Sequence, residues 1–322
     1  MANPQVLCCG EILWDRIAHE PVATVAEVQT WSSYPGGAPA NVACALAKLD
    51  TTAAFLGCVG QDQAGIQLVE VLQKAGVDTR GVQHHPSAPT RQVDVLRNAQ
   101  GDRRFAGFGD RDTTQFADAF HSLDSLDPDL FKDADFLVVG TLGLATETTG
   151  ATLRSAYDLA QTHRVAVVLD VNWRPMFWPD PSLAPAQVLA LLPQVTVLKV
   201  AAEEGDLLFN TRDPQAIAQS VPQLRAVLVT DGDRGCHYWI EGHQGFMPAF
   251  AMEVVDTTGA GDGFVAGFVH QLASQGFPSS DDQAAAMVRF ASAVGALCTI
   301  QPGAIASQPQ VAQVAQFLLG EG

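Results

Sequence analysis

The sequence predicts an α/β fold in which helices cover both faces of a mostly parallel sheet. Short and almost continuously apolar runs, typical of strands buried on both faces, alternate along the chain with helical patterns. The predicted core strands are residues 6–9, 53–59, 136–139, 165–171, 195–200 and 226–230. This alternation favours parallel strands joined by helices.

Helices are predicted where apolar residues recur with the helical period. Between residues 41 and 49, Val42, Ala45, Leu46 and Leu49 lie on one face of a helix. The other predicted helices are residues 62–75, 261–274 and 283–299. Each follows one of the apolar runs or closes the chain, as expected for the helical layers of an α/β protein.

Two stretches interrupt this alternation, at residues 18–34 and 91–109. Residues 91–97 alternate with period two, and a turn signal at 98–102 leads into another short strand. We interpret both stretches as a small β-sheet lid over the core, with ordinary surface hairpins as the alternative. The core then comprises residues 1–17, 35–90 and 110–322.

Composition excludes several classes of partner. The 322 residues are 47% hydrophobic, which is enough for a large core, and the net charge is −17. An acidic surface repels nucleic acids and anionic lipids, so neither is an expected partner. The six cysteines form no Cys-x-x-Cys pair, which indicates buried thiols in a reducing compartment. Without a visible signal peptide or long apolar run, we expect a cytoplasmic protein.

The most informative segment is a glycine-rich turn, Asp256-Thr-Thr-Gly259-Ala260-Gly261-Asp262, placed between a strand pattern and a helix pattern. Its small residues let backbone N–H groups approach a ligand, and the dipole of the following helix favours negative charge. The turn therefore suits a phosphoryl group in transfer. A carboxylate at residue 262 would repel phosphate, but it can accept the proton of an attacking hydroxyl. The alternative is an ordinary helix cap.

Other phosphate-binding and catalytic patterns are missing from the sequence. It has no Gly-x-x-x-x-Gly-Lys-Ser/Thr P-loop and no Gly-x-Ser-x-Gly nucleophile elbow. No Gly-x-Gly-x-x-Gly follows the first predicted strand, which disfavours a dinucleotide site. The glycine-rich turn therefore stands as the centre of the predicted chemistry.

Several motifs together resemble one known family. Residues 256–263 resemble the C-terminal signature of ribokinase-like (PfkB-type) carbohydrate kinases, and residues 35–43 resemble their N-terminal signature. Residues 55–65 resemble a further block of the family, while residues 10–15 and 170–175 are most similar to fructokinases. The motifs occur in the family's order over nearly the whole chain, so the chain is identified as a member.

The resemblance implies a three-layer α/β/α sandwich with a small β lid, and transfer of the ATP γ-phosphoryl group to a sugar hydroxyl. It implies that Asp262 is the catalytic base and that Gly259, Ala260 and Gly261 form the anion hole. D-Fructose, giving fructose 6-phosphate, is the expected acceptor. Kinases for ribose, 2-keto-3-deoxygluconate or a nucleoside are the alternatives, as is a non-catalytic fructokinase-like regulatory subunit.

The resemblance also implies a set of sugar-contacting residues. These are Asp15, Gly36, Gly37 and Asn41. Asn172 and Arg174 are candidates because they follow a predicted core strand at the edge where open α/β sheets bind ligands, and Arg174 resembles a fructokinase-type position. Arg91 and Arg104 are candidates because they lie in the predicted lid. A carboxylate and an amide can bind neighbouring sugar hydroxyls, and a glycine pair lets the ring approach the backbone. The alternatives are a loop acid at Asp15, a helix cap at Asn41, a simple turn at Gly36-Gly37 and a salt bridge at Arg174.

The nucleotide side is implied by weaker similarities. The cofactor-binding candidates are Lys199, Thr230, Gly232, Gly235 and Gly303, with a plain β-turn as the alternative for 230–235. Glu204 corresponds to the acid that orders Mg²⁺ through water, although Ala201 replaces the asparagine that usually accompanies it. Asp256, Thr258 and Ser307 are candidates for a monovalent cation such as K⁺. The expected cofactors are ATP and Mg²⁺, with K⁺ left open, and a homodimer through the lid is also left open.

Overall fold

The computed structural model describes residues 3–97, 103–122 and 126–320, so the predicted turn at 98–102 lies outside the described residues. Its strands are β1 Val6–Cys9, β2 Leu13–Pro21, β3 Trp31–Gly36, β4 Ala53–Gly60, β5 Asp78–His85, β6 Gln92–Arg97, β7 Arg103–Gly107, β8 Phe136–Val139, β9 Ala166–Asp170, β10 Val197–Ala201, β11 Ala226–Thr230, β12 Cys236–Ile240 and β13 His243–Met247. Its α-helices are α1 Ala38–Lys48, α2 Gln63–Lys74, α3 Glu147–His163, α4 Ala184–Leu191, α5 Ala202–Phe209, α6 Pro214–Ser220, α7 Ala260–Gln275, α8 Asp281–Leu297 and α9 Val311–Gly320.

The central sheet has nine strands in the order β13-β12-β11-β10-β9-β8-β1-β4-β5. Neighbours from β5 through β11 are parallel, and β12 and β13 add two antiparallel strands at one edge. The mostly parallel sheet and all six predicted core strands are confirmed. Strands β5, β12 and β13 escaped prediction because they lie at the sheet's ends, where partly exposed positions interrupt the apolar pattern.

The core forms two hydrophobic layers, one on each face of this sheet. Along β1, Val6 and Cys8 point into the layer that contains α1, α2, α7, α8 and α9, while Leu7 and Cys9 point into the layer of α3, α4 and α6. Successive side chains of a strand face opposite sides of a sheet, so a strand apolar at every position serves both layers. This arrangement is the predicted three-layer sandwich.

A separate four-stranded sheet, in the order β3-β2-β6-β7, forms the small β-sheet that the sequence predicted. Strand β2 begins at Leu13, so residues 13–17, which the sequence analysis assigned to the core, pair within this small sheet. Residues 35–36 likewise belong to β3. The polar residues Asp15 and Arg16 interrupt the apolar pattern, which is why the strand's start was not visible in the sequence.

Two expectations about composition can be compared with the structure. All six cysteines are buried and none forms a disulfide, as their apolar surroundings indicated. Across the ranges that the structure describes, no helix has both the length and the apolar character needed to cross a bilayer.

Candidate active site

The glycine-rich turn leads directly into α7. Gly259 is the N-cap of this helix and adopts a left-handed φ of 83°. A Cβ on Gly259 would come within 2.8 Å of the Cβ of Ala304, so both the backbone conformation and the available space require glycine. The N–H of Ala260 donates to the Thr257 carbonyl. Ala260 and Gly261, in the first turn of α7, line a cavity. The predicted position of this glycine-rich turn at a helix N-terminus therefore agrees with the structure, and such a position suits an anion.

Asp262 lies half-buried in the first turn of α7, and Gly259 rather than Asp262 caps the helix. Its Oδ2 accepts a hydrogen bond of 2.7 Å from Nδ2 of Asn41. Burial raises the pKa of Asp262 to about 6, against the lowering effect of the Asn41 bond and of the charges on Lys199 and Arg174. A carboxylate with a pKa near neutrality suits a general base.

A buried ion pair lies beside the turn. The parallel register of β9 and β10 places Asp170 opposite Lys199, and Nζ of Lys199 is 3.0 Å from Oδ1 of Asp170. Burial alone would lower the pKa of Lys199, but the Asp170 and Glu204 carboxylates raise it, so the ammonium stays charged. A Cβ on Gly261 would lie 3.5 Å from this Nζ. The Lys199 ammonium is therefore next to the glycine-rich turn.

Asp170 was not among the predicted site residues, although the sequence contained a signal for it. It ends one predicted core strand and Lys199 lies near the end of the next, so the two opposite charges occupy the same edge of a parallel sheet. That edge is where open α/β sheets bind ligands.

The sugar-side candidates Asp15, Gly36, Gly37 and Asn41 form a continuous group. A Cβ on Gly36 would be 2.5 Å from Oδ2 of Asp15, and a Cβ on Gly37 would be 2.5 Å from the Glu11 carbonyl oxygen. Gly37 also has a φ of 105° and is the N-cap of α1, which leaves the side chain of Asn41 to bind Asp262. The glycine pair thus lies against the Asp15 carboxylate and the Glu11 backbone, directly before the helix whose Asn41 binds Asp262.

The remaining sugar-side candidates differ in their surroundings. Asn172 follows β9 with a φ of 38°, and the exposed Arg174 donates to the Trp173 carbonyl at 3.2 Å. Arg174 also lies close enough for its charge to lower the pKa of Asp262. Arg104 is exposed in the lid, and its Nη2 donates to the Ala23 carbonyl at 2.6 Å, within the lid itself.

Arg91 takes part in a buried network rather than facing the site. Its Nε and Nη2 donate to the two carboxylate oxygens of Asp118, at 2.6 and 3.0 Å. Its Nη1 and Nη2 also donate to the side chain and the carbonyl of Thr113. Four of the five N–H donors of this guanidinium are engaged within the protein, which disfavours Arg91 as a sugar contact.

A cavity of about 360 Å³ opens on the other side of the turn. Thr230, Gly232, Gly235, Ala260 and Gly261 line it, together with an apolar wall that is formed by Phe250, Met252, Val254 and Phe264. Residues 232–234 form a short 3₁₀ turn between β11 and β12, so this segment both joins two strands and borders the cavity. An apolar wall facing a helix N-terminus fits a nucleotide, with its base against the wall and its phosphates at the turn.

Glu204 connects two loops near the Asp170–Lys199 pair. Its Oε1 accepts from the Trp173 N–H and its Oε2 from the Ala201 N–H, both at 2.7 Å. Each carboxylate oxygen keeps a second lone pair, which fits a role in binding a metal through water. Over the described ranges, no three His, Cys, Asp or Glu residues converge as a direct metal site.

The predicted monovalent-cation residues lie together. Oδ1 of Asp256 accepts from the N–H and the hydroxyl of Thr258, at 3.0 and 2.7 Å, while Oδ2 accepts from the N–H of Gly303 at 3.1 Å. The Ser307 N–H donates to the Gly303 carbonyl at 3.0 Å. Asp256 therefore joins the start of the glycine-rich turn to the C-terminal loop. Gly303 is not among the described residues that line the cavity.

Comparison with known proteins agrees with this architecture. Residues 3–311 match the pfkB family carbohydrate kinases. "Probable fructokinase-5" of Arabidopsis thaliana is 32% identical over 99% of this chain and 98% of its own length. "Fructokinase-1" of Zea mays is 33% identical over 97% of both chains.

Solved structures show the same similarity. A fructokinase from Xylella fastidiosa with bound ATP is 28% identical, with a TM-score of 0.88 over 98% of each chain. A double-mutant fructokinase from Vibrio cholerae O395 with bound fructose, ADP and potassium ion is 27% identical, with a TM-score of 0.84 over 99% of this chain and 100% of its own. The chain belongs to the pfkB family of carbohydrate kinases, and it is therefore a phosphotransferase that acts on a sugar hydroxyl.

Proposed function

We propose that this protein is an ATP-dependent fructokinase that converts D-fructose to fructose 6-phosphate. The observation that carries the proposal is the position of Asp262, which Asn41 holds between the sugar-side group and the nucleotide-sized cavity. Similarity over nearly the whole chain to proteins named fructokinase supports fructose as the acceptor.

In this reaction the Asp262 carboxylate accepts the proton of the sugar's 6-hydroxyl. The hydroxyl oxygen then forms a bond to the γ-phosphorus of ATP as the bond between that phosphorus and the ADP oxygen breaks. Asp15, the backbone at Gly36-Gly37 and Asn41 hold the sugar. The α7 N-terminus and the Lys199 ammonium stabilise negative charge on the migrating group.

Cations would be bound next to these groups. Mg²⁺, when it is bound to the nucleotide, neutralises phosphate charge, and Glu204 would contact it through water. Asp256, Thr258 and Ser307 lie where a monovalent cation such as K⁺ would order the C-terminal loop, and Lys199, Thr230, Gly232, Gly235 and Gly303 complete the proposed nucleotide side. Asn172, Arg174 and Arg104 complete the proposed sugar side.

A substrate panel tests the proposal directly. ATP-dependent phosphorylation is measured for fructose, glucose, ribose, 2-keto-3-deoxygluconate and adenosine, with and without K⁺. Fructose should give the highest kcat/KM of the five acceptors. Turnover of ribose, 2-keto-3-deoxygluconate or adenosine without turnover of fructose would assign the chain to another acceptor.

We also infer that the protein is cytoplasmic and dimerises through its lid. Strands β3 and β7 are the edges of the small sheet, and unpaired edges are surfaces on which two copies can pair. Sedimentation analysis at several protein concentrations should show a dimer, and a monomer at all of them would contradict this part of the proposal.

A further inference from the structure

We propose that Lys48 is a positioning residue for phosphoryl transfer, acting through residues 303–308, which we term the carbonyl loop. This inference rests on the proposed phosphotransfer site but not on the identity of the sugar. Lys48 is the last residue of α1 and is half-buried. Its Nζ donates to the carbonyls of Ile305, Ala306 and Gln308, at 2.8, 3.3 and 3.0 Å.

These three contacts use the whole donor capacity of the ammonium. A lysine has three N–H donors, and here each has a backbone carbonyl within hydrogen-bonding distance. Within the described ranges no carboxylate forms a salt bridge with Lys48, although the chain is strongly acidic. The ammonium therefore serves the loop as a fixed internal cation, which holds three carbonyl dipoles that would otherwise repel one another.

The carbonyl loop in turn forms the wall behind the anion-binding turn. The missing Cβ of Gly259 would lie 2.8 Å from Cβ of Ala304, so the two backbones are in close contact. Nε2 of Gln308 donates to the Ala304 carbonyl at 2.8 Å and lies 3.5 Å from the Gly259 carbonyl. The N–H of Gly303 is bound to Asp256, at the start of the same turn. A shift of this loop would therefore move the N-cap of α7.

The other end of the same helix holds the base. Asn41 precedes Lys48 by two helical turns, or about 10 Å along α1, and residues seven positions apart lie on one face of a helix. Asn41 binds Asp262, while Lys48 binds the loop behind Gly259. One helix, α1, thus holds both the Asp262 carboxylate and the carbonyl loop behind Gly259. Loss of the Lys48 contacts should disturb the phosphate side and leave the sugar side in place.

The test compares Lys48→Met with Lys48→Arg and with a matched control, Lys74→Met. Lys74 is an exposed lysine on α2 whose partner is Glu70. Steady-state kinetics give kcat and KM, and calorimetry gives affinities for a non-hydrolysable ATP analogue and for AMP. For Lys48→Met we expect kcat to fall about 10- to 100-fold, because small misplacements of this kind have such effects.

The affinities separate positioning from a general loss of structure. Lys48→Met should lose about tenfold in affinity for the ATP analogue but less than about twofold for AMP or in KM for the sugar, because the carbonyl loop supports Gly259, the N-cap of the helix proposed to face the transferred phosphoryl group. Lys48→Arg should restore most of both losses, and Lys74→Met should match the unmodified protein. Equal losses for ATP analogue, AMP and sugar, or no change in any, would overturn the proposal.

A second variant covers the case in which Lys48→Met does not fold, as judged by circular dichroism. Gln308→Met leaves the ammonium in place but removes the amide that bridges Ala304 and Gly259, and it should show the same selective loss for the ATP analogue. An unchanged affinity in Gln308→Met would reject the proposed wall. The nucleotide measurements need no acceptor, so they stay valid if fructose is not the substrate.

Discussion

Two buried ion pairs in this protein look alike but serve different purposes. Asp170 ends β9 and pairs with Lys199 in the middle of β10, whereas Arg91 directly precedes β6 and pairs with Asp118 in a 3₁₀ helix at Ala117–Phe120. All four side chains are less than a tenth exposed. The two pairs differ in the other groups that they contact.

Arg91 uses four of its five N–H donors, whereas Lys199 has donors open to further partners. Arg91 binds both oxygens of Asp118 and two groups of Thr113, and it lies over the rings of Phe108, Phe116 and Phe177. Lys199 has one described ion-pair partner, Asp170, out of three donors, and it lies beside Gly261. A pair whose donors are nearly all engaged within the protein holds the fold together, while one with several spare donors beside a cleft can bind a ligand.

The largest expected effect is that of Asp262→Asn, which keeps the shape of the side chain near Lys199 but removes its basicity. We expect kcat to fall about 10²- to 10⁴-fold while sugar and nucleotide affinity are retained. Asp233→Asn is the control, because Asp233 is an exposed acid that lines the cavity next to the glycine-rich turn. Turnover that is unchanged in Asp262→Asn would remove Asp262 from the mechanism and leave the Asp170–Lys199 pair without a catalytic neighbour.

Breaking the Arg91–Asp118 pair should lower the free energy of unfolding rather than kcat. Arg91→Met leaves Asp118 buried without its partner, so we expect the free energy of unfolding to fall by about 3–5 kcal/mol. Arg80→Met, which breaks an exposed pair with Asp78, should cost about 0–1 kcal/mol. Urea unfolding measures both losses. A large loss of kcat in Arg91→Met at native stability would place this pair in the site after all.

Breaking the Asp170–Lys199 pair should change chemistry as well as stability, because Lys199→Met also leaves a buried carboxylate without its partner. Lys199→Met removes the charge beside the anion-binding turn, so we expect kcat to fall about 10²-fold. Affinity for the ATP analogue should fall too, because the same charge faces the phosphates. Stability should fall in both Lys199→Met and Arg91→Met, but kcat and affinity for the ATP analogue should fall only in Lys199→Met. Kinetics, calorimetry and urea unfolding measure these losses, and matching losses of kcat in the two variants would remove the distinction between the pairs.

The smallest expected effect is a shift in pH dependence. The base must be deprotonated, and the pKa of Asp262 is raised to about 6, so kcat should decline as the pH falls through about 6. The charge on Asp170 raises this pKa and the charge on Lys199 lowers it. Asp170→Asn should therefore move the acid limb of the profile to lower pH, and Lys199→Met should move it to higher pH. An acid limb at the same pH in all three proteins would contradict this coupling.

Local patterns were sufficient for much of the fold and for the centre of the site. The core strands are apolar at every position because both of their faces are covered, and this is visible in any window of the sequence. The turn at 256–262 combines small residues with an acid, and the chemistry proposed for it was predicted from those residue types. Strand β2 was partly missed because its polar residues conceal a strand of the small sheet.

The sequence by itself determined the layered α/β architecture and the position of the glycine-rich turn with Asp262 at the start of a helix, since each depends on neighbours in the chain. Only the tertiary structure decided which charges meet. The bond between Asn41 and Asp262, the Asp170–Lys199 pair, the enclosure of Arg91 and the contacts of Lys48 all join distant segments. Such contacts depend on the register and packing of whole elements, which no local pattern specifies.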